Sequence, residues 1–207
     1  MVARETGLRL EVIRPEEEAR LAVISCAPLV SQEASQVLVF DIGGGSTEVL
    51  VCNDADIHFV ESLRLGTVRL REMFASEAKD LVKLIDRYVQ RSIDPYLADI
   101  ARHKPVAALC TGGTARTLLE VLREMGVSFR EQILLPVVDT RDFAGVVEEL
   151  SQMSRKEIAK IKSIDEGRRD IILPGAALLL SLLKHTKMSS FLVAPNGQGR
   201  GARRLCL

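Results

Sequence analysis

The chain has 207 residues, of which 47% are hydrophobic, so it can form one substantial domain with its own core. Its 28 Lys and Arg residues balance its 28 Asp and Glu residues, and this balance gives no support for a protein that coats DNA or an anionic membrane. Aromatic residues make up only 4%, with no Trp, which argues against a platform for stacked bases.

The N-terminus lacks the apolar core of a signal peptide, and the longest apolar run, Ala176 to Leu183, is too short to span a bilayer. The four cysteines form no CxxC pair, so a structural zinc site is not expected. We therefore expect a reduced, cytoplasmic protein without a membrane partner.

The first half of the chain predicts strands around one early helix. Leu8 to Ile13 alternates apolar and polar residues as a strand does, and the acidic run that starts at Glu16 suits the first turn of a helix. Three consecutive strands are predicted over Val37–Phe40, Glu48–Cys52 and Ile57–Leu63. Short turns separate them, so they predict an antiparallel meander.

Helical spacing dominates the second half. A helix is predicted over Val68–Phe74, and a longer helical stretch over Glu77–Ala101 must be interrupted at Pro95. The remaining predicted helices are Thr114–Met125, Asp142–Met153, Arg155–Ile161 and Ile171–Leu183, and the remaining predicted strands are Val106–Cys110 and Phe191–Ala194.

The turn between the first two strands of the meander carries the richest chemistry. It reads Asp41-Ile42-Gly43-Gly44-Gly45-Ser46-Thr47-Glu48. Glycines allow close approach of the backbone to a ligand, successive N–H groups form an anion site, and the hydroxyls add donors. A carboxylate at each end can hold Mg²⁺ directly or through water. The alternative is a flexible hairpin tip, but a tip needs no carboxylates at its two ends.

A second glycine-containing turn follows the strand Val106–Cys110. Gly112 and Gly113 permit close approach, and Thr114 is a plausible N-cap of the next helix. Such a helix N-terminus can bind a phosphate or nucleotide. Gly-Gly before a helix is equally often only a tight strand–helix turn, so this motif alone decides nothing.

The acidic run Glu16, Glu17 and Glu18 has two interpretations. A solvated first turn of a helix is the common one. A carboxylate close to a metal and a phosphate can instead orient or deprotonate an attacking water.

Taken together and in order, four segments resemble the Ppx/GppA phosphatase family. They are Glu16 to Leu21, Val39 to Glu48, Ser62 to Leu70 and Cys110 to Arg116. The resemblance implies an α/β fold with a mixed sheet and flanking helices, namely a ribonuclease-H-like lobe of the sugar kinase/Hsp70/actin superfamily. It also implies Mg²⁺-dependent release of terminal phosphate from inorganic polyphosphate or guanosine pentaphosphate.

The resemblance assigns roles residue by residue. Glu18 matches the catalytic glutamate, and Asp41 and Glu48 match the acidic residues around metal and water. The matched phosphate-binding residues are Gly43, Gly44, Gly45, Ser46 and Thr47 in one loop and Gly112, Gly113 and Thr114 in another, which in relatives faces a nucleotide or the end of the phosphate chain. Arg69 matches a recurrent arginine whose role stays open.

Two departures from the family pattern shape the expected organisation. The family's first phosphate loop does not occur in the sequence, and a Gly-Leu-Arg-Glu-Gly motif that usually follows the last strand is altered. We expect residues 1–14 to be a remnant of a first lobe, 15–194 a second ribonuclease-H-like lobe, and 195–207 an irregular tail.

Three functions follow from these expectations. The first is a hydrolase whose site is incomplete without a first lobe or a second copy of the chain. The second is a non-catalytic module that binds phosphate or a partner through its exposed face. The third is a kinase or ATPase of the same superfamily.

Overall fold

The structure is a computed structural model that describes residues 36–53, 56–75, 80–132 and 135–194. The first predicted strand, the acidic run with Glu18, and the tail from residue 195 lie outside the described residues.

The described part of the chain begins with the antiparallel meander that the sequence predicts. Strands β1 (Val37–Ile42), β2 (Thr47–Cys52) and β3 (Ile57–Leu63) pair in sequence order, β1 with β2 and β2 with β3. Every residue of β1 and β2 is buried. Burial on both faces explains why Val37–Phe40 and Val49–Cys52 are continuous apolar runs instead of alternating ones.

Three helices follow, and Pro95 separates the second from the third, as expected. Helix α1 spans Thr67–Met73 and helix α2 spans Leu81–Ile93; a 3-10 turn over Asp94–Tyr96 then leads into α3 (Leu97–Arg102). The proline lies in the 3-10 turn, where it costs no hydrogen bond of an α-helix interior.

Strand β4 (Ala107–Thr111) runs directly into helix α4 (Gly112–Glu124). The helix begins two residues earlier than the predicted start at Thr114. Thr111 is the N-cap, and its side chain makes no capping hydrogen bond. The prediction of Thr114 as N-cap is therefore wrong, because both glycines already belong to the first helical turn.

The next segment contains two strands that the sequence analysis did not predict. They are β5 (Arg130–Gln132) and β6 (Leu135–Asp139), and they pair antiparallel with each other. Helix α5 (Thr140–Gln152) follows, and its N-cap carboxylate accepts a hydrogen bond from the second residue of the helix. The short helix α6 (Arg155–Ile158) begins at a capping box.

A 3-10 turn over Glu166–Arg168, helix α7 (Ile172–His185) and strand β7 (Ser190–Val193) complete the described chain. Within the described residues, seven strands form one sheet in the order β3-β2-β1-β4-β7-β6-β5. Strands β1, β4 and β7 run parallel, and the other neighbours are antiparallel. The mixed sheet with flanking helices confirms the predicted α/β class.

Helix α7 is the centre of the core. It packs against α1, α2, α4 and α5, and eleven of its 14 residues are buried. A helix that is apolar on all sides is buried on all sides. The structure describes no helix that is both long and apolar enough to cross a membrane.

Candidate active site

A row of polar side chains crosses the sheet where β1 and β4 end. The register pairs Asp41 of β1 with Glu48 of β2 on one side and with Thr111 of β4 on the other. Glu48 in turn pairs with Ser62 of β3. Directly opposed residues of neighbouring strands point to the same face, so these four polar side chains share one face of the sheet.

The two carboxylates of this row are almost fully buried. Asp41 is 5% exposed and Glu48 is 4% exposed. The Ser62 hydroxyl donates a hydrogen bond of 2.8 Å to Oε1 of Glu48. Opposed like charges repel strongly where water is excluded. The pair therefore favours a bound cation between or beside the carboxylates.

The donor set of the row fits Mg²⁺. Within the described residues no three His, Cys, Asp or Glu side chains converge on one point, but Mg²⁺ commonly takes only one or two carboxylates and completes its shell with water and substrate phosphate. The buried Oγ1 of Thr111 finds no hydrogen-bond partner among the described residues. A hydrated cation beside Asp41 would supply one.

The glycine-rich segment forms the predicted turn between two antiparallel strands. The Gly43 N–H donates to the Ser46 carbonyl over 3.0 Å and closes the turn. Gly44 and Gly45 are exposed, and no described residue accepts a hydrogen bond from their N–H groups. Two backbone donors are thus available to an anionic ligand.

Helix α1 holds the back of this turn. Its first N–H groups, from Thr67, Val68 and Arg69, donate to the carbonyls of Gly43 and Gly44 over 3.0–3.1 Å. With its carbonyls fixed on α1, the turn keeps the opposite side of its peptide groups for a ligand.

The structure corrects the role expected of Thr47. This residue is fully buried, and its hydroxyl donates to the carbonyl of Leu65. The hydroxyl fastens the turn to the segment before α1 and does not face a cavity. Ser46, which is half-buried, is the remaining hydroxyl of the turn.

The second glycine motif packs against the first. Gly112 has a φ of +91°, and a Cβ at this position would lie 2.7 Å from Oδ1 of Asp41. Any side chain there would displace the carboxylate and strain the backbone. Gly112 thus allows the start of α4 to approach the acidic row closely.

An open cavity of about 440 Å³ lies at the same end of the sheet. It brings together residues from both motifs: Gly43, Gly44, Gly113 and Thr114. Asp41 and Glu48 do not line it, since they point to the other face of the sheet. The site therefore has two compartments, an acidic row and a glycine-lined cavity, which adjoin at Gly112.

Among the described residues, Arg168 is the one cationic side chain that lines this cavity, and Asp165 is the one anionic side chain. Its guanidinium lies against Gly113, where an added Cβ would be 2.6 Å from Nη2. Within the described part of the chain it forms no ion pair. The sequence analysis assigned it no role in the site, because nothing local marks an arginine of a 3-10 turn as a neighbour of a distant glycine. Arg69 and Arg116 are exposed and do not line the cavity.

Glu124, at the end of α4, anchors the loop that leads to Arg168. Its carboxylate accepts hydrogen bonds from the backbone N–H groups of Lys162 and Ser163, each over 2.9 Å. These two hydrogen bonds hold the pKa of Glu124 below its ordinary value. The same helix that begins at Gly112 in the site therefore fixes, at its other end, the approach of Arg168.

Comparisons with known proteins give matches over most of the chain. The model of the Ppx/GppA phosphatase family matches residues 1–201. Exopolyphosphatase 2 of Mycobacterium tuberculosis is 28% identical over 184 residues, which are 87% of this chain and 57% of the relative. A bifunctional 3-dehydroquinate synthase/phosphatase of Fusobacterium nucleatum is 25% identical over 96% of this chain and 30% of its own length. The chain thus spans little more than half of the exopolyphosphatase.

Solved structures show the same fold. A PPX-GPPA enzyme of Aquifex aeolicus is 27% identical with a TM-score of 0.79, over 98% of this chain and 67% of that one. An exopolyphosphatase of Cytophaga hutchinsonii is 23% identical with a TM-score of 0.85, over 99% of this chain and 67% of that one. These neighbours confirm the predicted ribonuclease-H-like lobe of the sugar kinase/Hsp70/actin superfamily.

Proposed function

Because this chain belongs to the Ppx/GppA phosphatase family, we propose that it forms the second lobe of a phosphoanhydride hydrolase. The substrate would be inorganic polyphosphate or guanosine pentaphosphate, from which the enzyme releases a terminal phosphate. The observation that carries the proposal is the buried pair Asp41 and Glu48, placed directly beside a turn with unused backbone donors.

In this proposal the acidic row holds Mg²⁺. Asp41 and Glu48 supply the carboxylates, and Thr111 supplies a hydroxyl to the hydration shell. When bound, the ion would neutralise charge on the phosphates and help to orient an attacking water. The protein would contribute position, because the register of three strands fixes these side chains before any ligand arrives.

The phosphate groups would lie against the glycine turn. The N–H groups of Gly44 and Gly45 and the hydroxyl of Ser46 are the donors, and Arg168 provides the positive charge of the cavity. Glu18, which lies outside the described residues, keeps its proposed role as the carboxylate that positions water. We propose the cytoplasm as the compartment; the buried, unpaired thiols Cys52 and Cys110 are compatible with it.

The test of the metal site is Mg²⁺-dependent binding of tripolyphosphate to the full chain, measured by isothermal titration calorimetry. We expect Asp41→Asn and Glu48→Gln to abolish the difference in affinity with and without Mg²⁺. Glu149→Gln, at an exposed carboxylate of α5, is the matched control and should behave as the parent. An unchanged Mg²⁺ dependence in both site variants would refute the proposal.

Phosphate release separates the candidate functions. Polyphosphate, guanosine pentaphosphate and ATP are incubated side by side with Mg²⁺, and released phosphate is measured. For this chain alone we expect release near background, since the phosphate loop with which the family pattern begins does not occur in its sequence. Release at about one per second or faster would mean that the chain, or a second copy of it, completes the site. Binding with release near background is expected both of an incomplete hydrolase and of a non-catalytic module. A form of the protein joined to a first lobe separates these two, because only the hydrolase would then release phosphate.

The role of Glu18 is tested in any form of the protein that hydrolyses polyphosphate. Glu18→Ala should abolish turnover and leave binding intact, because a carboxylate that positions water acts in the chemical step. Equal losses of binding and turnover would show that the residue is structural.

A further inference from the structure

A second cavity lies at the end of α1, the helix whose first residues line the active-site cavity. Its volume is about 490 Å³, within the range typical of small-molecule pockets. The end of α1, the segment that enters α7 and the connection from α5 to α6 enclose it. Its floor is apolar and consists of Phe74, Leu81, Met153, Ile158, Leu173 and Pro174.

The rim of this cavity is charged, with Arg71, Arg155 and Arg169 against Glu72 and Asp170. The Nε atoms of Arg71 and Arg169 are buried and out of reach of a ligand in the cavity. The side chains as a whole are 41% and 37% exposed, so the ends of their guanidinium groups are the parts that can meet an anion.

The carboxylates nearby satisfy these arginines poorly. Arg71 meets Glu72 over 3.4 Å and Asp170 over 3.8 Å, and Arg169 meets Glu166 over 4.0 Å. These distances are longer than those of good charge-assisted hydrogen bonds. Among the described residues, the rim therefore carries one net positive charge and two arginines that are only weakly paired.

We propose that this arginine-rimmed cavity binds a small amphipathic anion, with its acidic head on Arg71 and Arg169 and its apolar body on the floor. A polyphosphate chain does not suit it, because the floor would desolvate phosphate oxygens without replacing their hydrogen bonds. The ligand class is an alkyl or aryl carboxylate or phosphate. This inference is separate from the proposed function of the active site.

Helix α1 joins the cavity to the glycine turn. Its first turn donates hydrogen bonds to Gly43 and Gly44, and its last turn carries Arg71. Along the other wall, Arg168 lines the active-site cavity and the next residue, Arg169, lines this one. A ligand bound to Arg71 and Arg169 would thus change the affinity of the glycine turn for phosphate. By linkage, phosphate bound at the turn would change the affinity of the second cavity for its own ligand by the same factor.

The binding test uses octanoate, octyl phosphate and the uncharged 1-octanol, titrated into the full chain and followed by ¹H–¹⁵N NMR. We expect at least one of the two anions to bind more tightly than the alcohol and to shift the amides of α1 and of the start of α7. The double substitution R71L/R169L should weaken anion binding about tenfold to a hundredfold and leave the weak binding of the alcohol unchanged.

Three further variants keep the test decisive. Arg123→Leu removes an exposed arginine of α4 and should not change anion affinity. Should the double variant fail to fold, the single variants Arg71→Gln and Arg169→Gln replace it. Equal affinity for anion and alcohol, amide shifts elsewhere on the chain, or anion binding that survives loss of either arginine would overturn the proposal.

Discussion

Gly66 precedes α1 and presses on the backbone of the glycine turn. A Cβ at this position would lie 2.2 Å from the carbonyl oxygen of Gly44 and 2.4 Å from the carbonyl carbon of Gly45. The backbone of Gly66 is extended, with φ −127° and ψ 153°, so alanine could adopt it. The glycine is therefore required for space alone, and Gly66→Ala tests how rigidly the turn rests on α1.

The loss of stability expected for Gly66→Ala follows from the contacts that the added methyl group would displace. Overpacking a tight contact costs about 1–3 kcal/mol, and here the contacted atoms are backbone that cannot rotate away. Separation of the turn from α1 would also weaken the hydrogen bonds from Thr67, Val68 and Arg69, and the loss of one of them adds about 1 kcal/mol. We expect Gly66→Ala to destabilise the chain by about 2–4 kcal/mol, a large part of the stability of an ordinary domain.

Urea unfolding measured by circular dichroism gives the change in free energy. Gly145→Ala is the control: it lies inside α5 with no atom within 4 Å of its Cβ position, and it should raise stability by about 0.5–1 kcal/mol. Tripolyphosphate affinity, measured on the same samples at low urea, should fall for Gly66→Ala and not for the control. A Gly66→Ala chain with the parent's midpoint and affinity would show that the turn does not depend on α1.

Three other substitutions test separate parts of the structure. The pKa of Glu124 in the folded chain lies below its ordinary 4.5, so the carboxylate stabilises the chain above that pH and loses its effect as the pH falls through the folded pKa. Glu124→Gln should therefore lower the urea midpoint at pH 7. If the difference in urea midpoint between variant and parent does not become smaller below pH 4.5, Glu124 does not anchor the loop. Arg168→Ala should weaken tripolyphosphate binding about tenfold with stability within about 0.5 kcal/mol of the parent, as calorimetry and urea unfolding would show; unchanged affinity would remove this arginine from the site. Phe143 is fully buried with its ring 5.2 Å from that of Phe191, so Phe143→Ala should cost about 3–5 kcal/mol in thermal or urea unfolding, and a smaller loss would mean that the core collapses around the gap.

Local sequence patterns predicted the elements that carry strong local signals. The meander from β1 to β3 followed from apolar runs bounded by turn residues, and the break at Pro95 from the chemistry of proline. Strands β5 and β6 were missed because the first is a three-residue polar edge strand and the second contains Pro136, a residue that normally argues against a strand. Their pairing depends on tertiary contacts that no local pattern encodes.

The candidate site, too, was predicted from the sequence only in part. The sequence placed Asp41 and Glu48 at the two ends of one turn, and the register confirms that they oppose each other. It could not place Arg168 beside Gly113, because Arg168 follows Gly113 by 55 positions and two helices, α5 and α6, lie between them. It also assigned Thr47 to ligand binding, although the hydroxyl bonds Leu65, since a residue type does not reveal which way its side chain points.

The position of β7 has a consequence for synthesis of the protein. This strand is the last described element in the chain, yet it lies between β4 and β6, inside the sheet. Until β7 has left the ribosome, the edge of β4 has no hydrogen-bonded neighbour, and the β5–β6 hairpin has no strand through which it can join the sheet. Bare edges of this kind pair with other chains. The lobe should therefore mature in one late step, and chains that stall shortly before β7 should be the ones that chaperones protect or that aggregate.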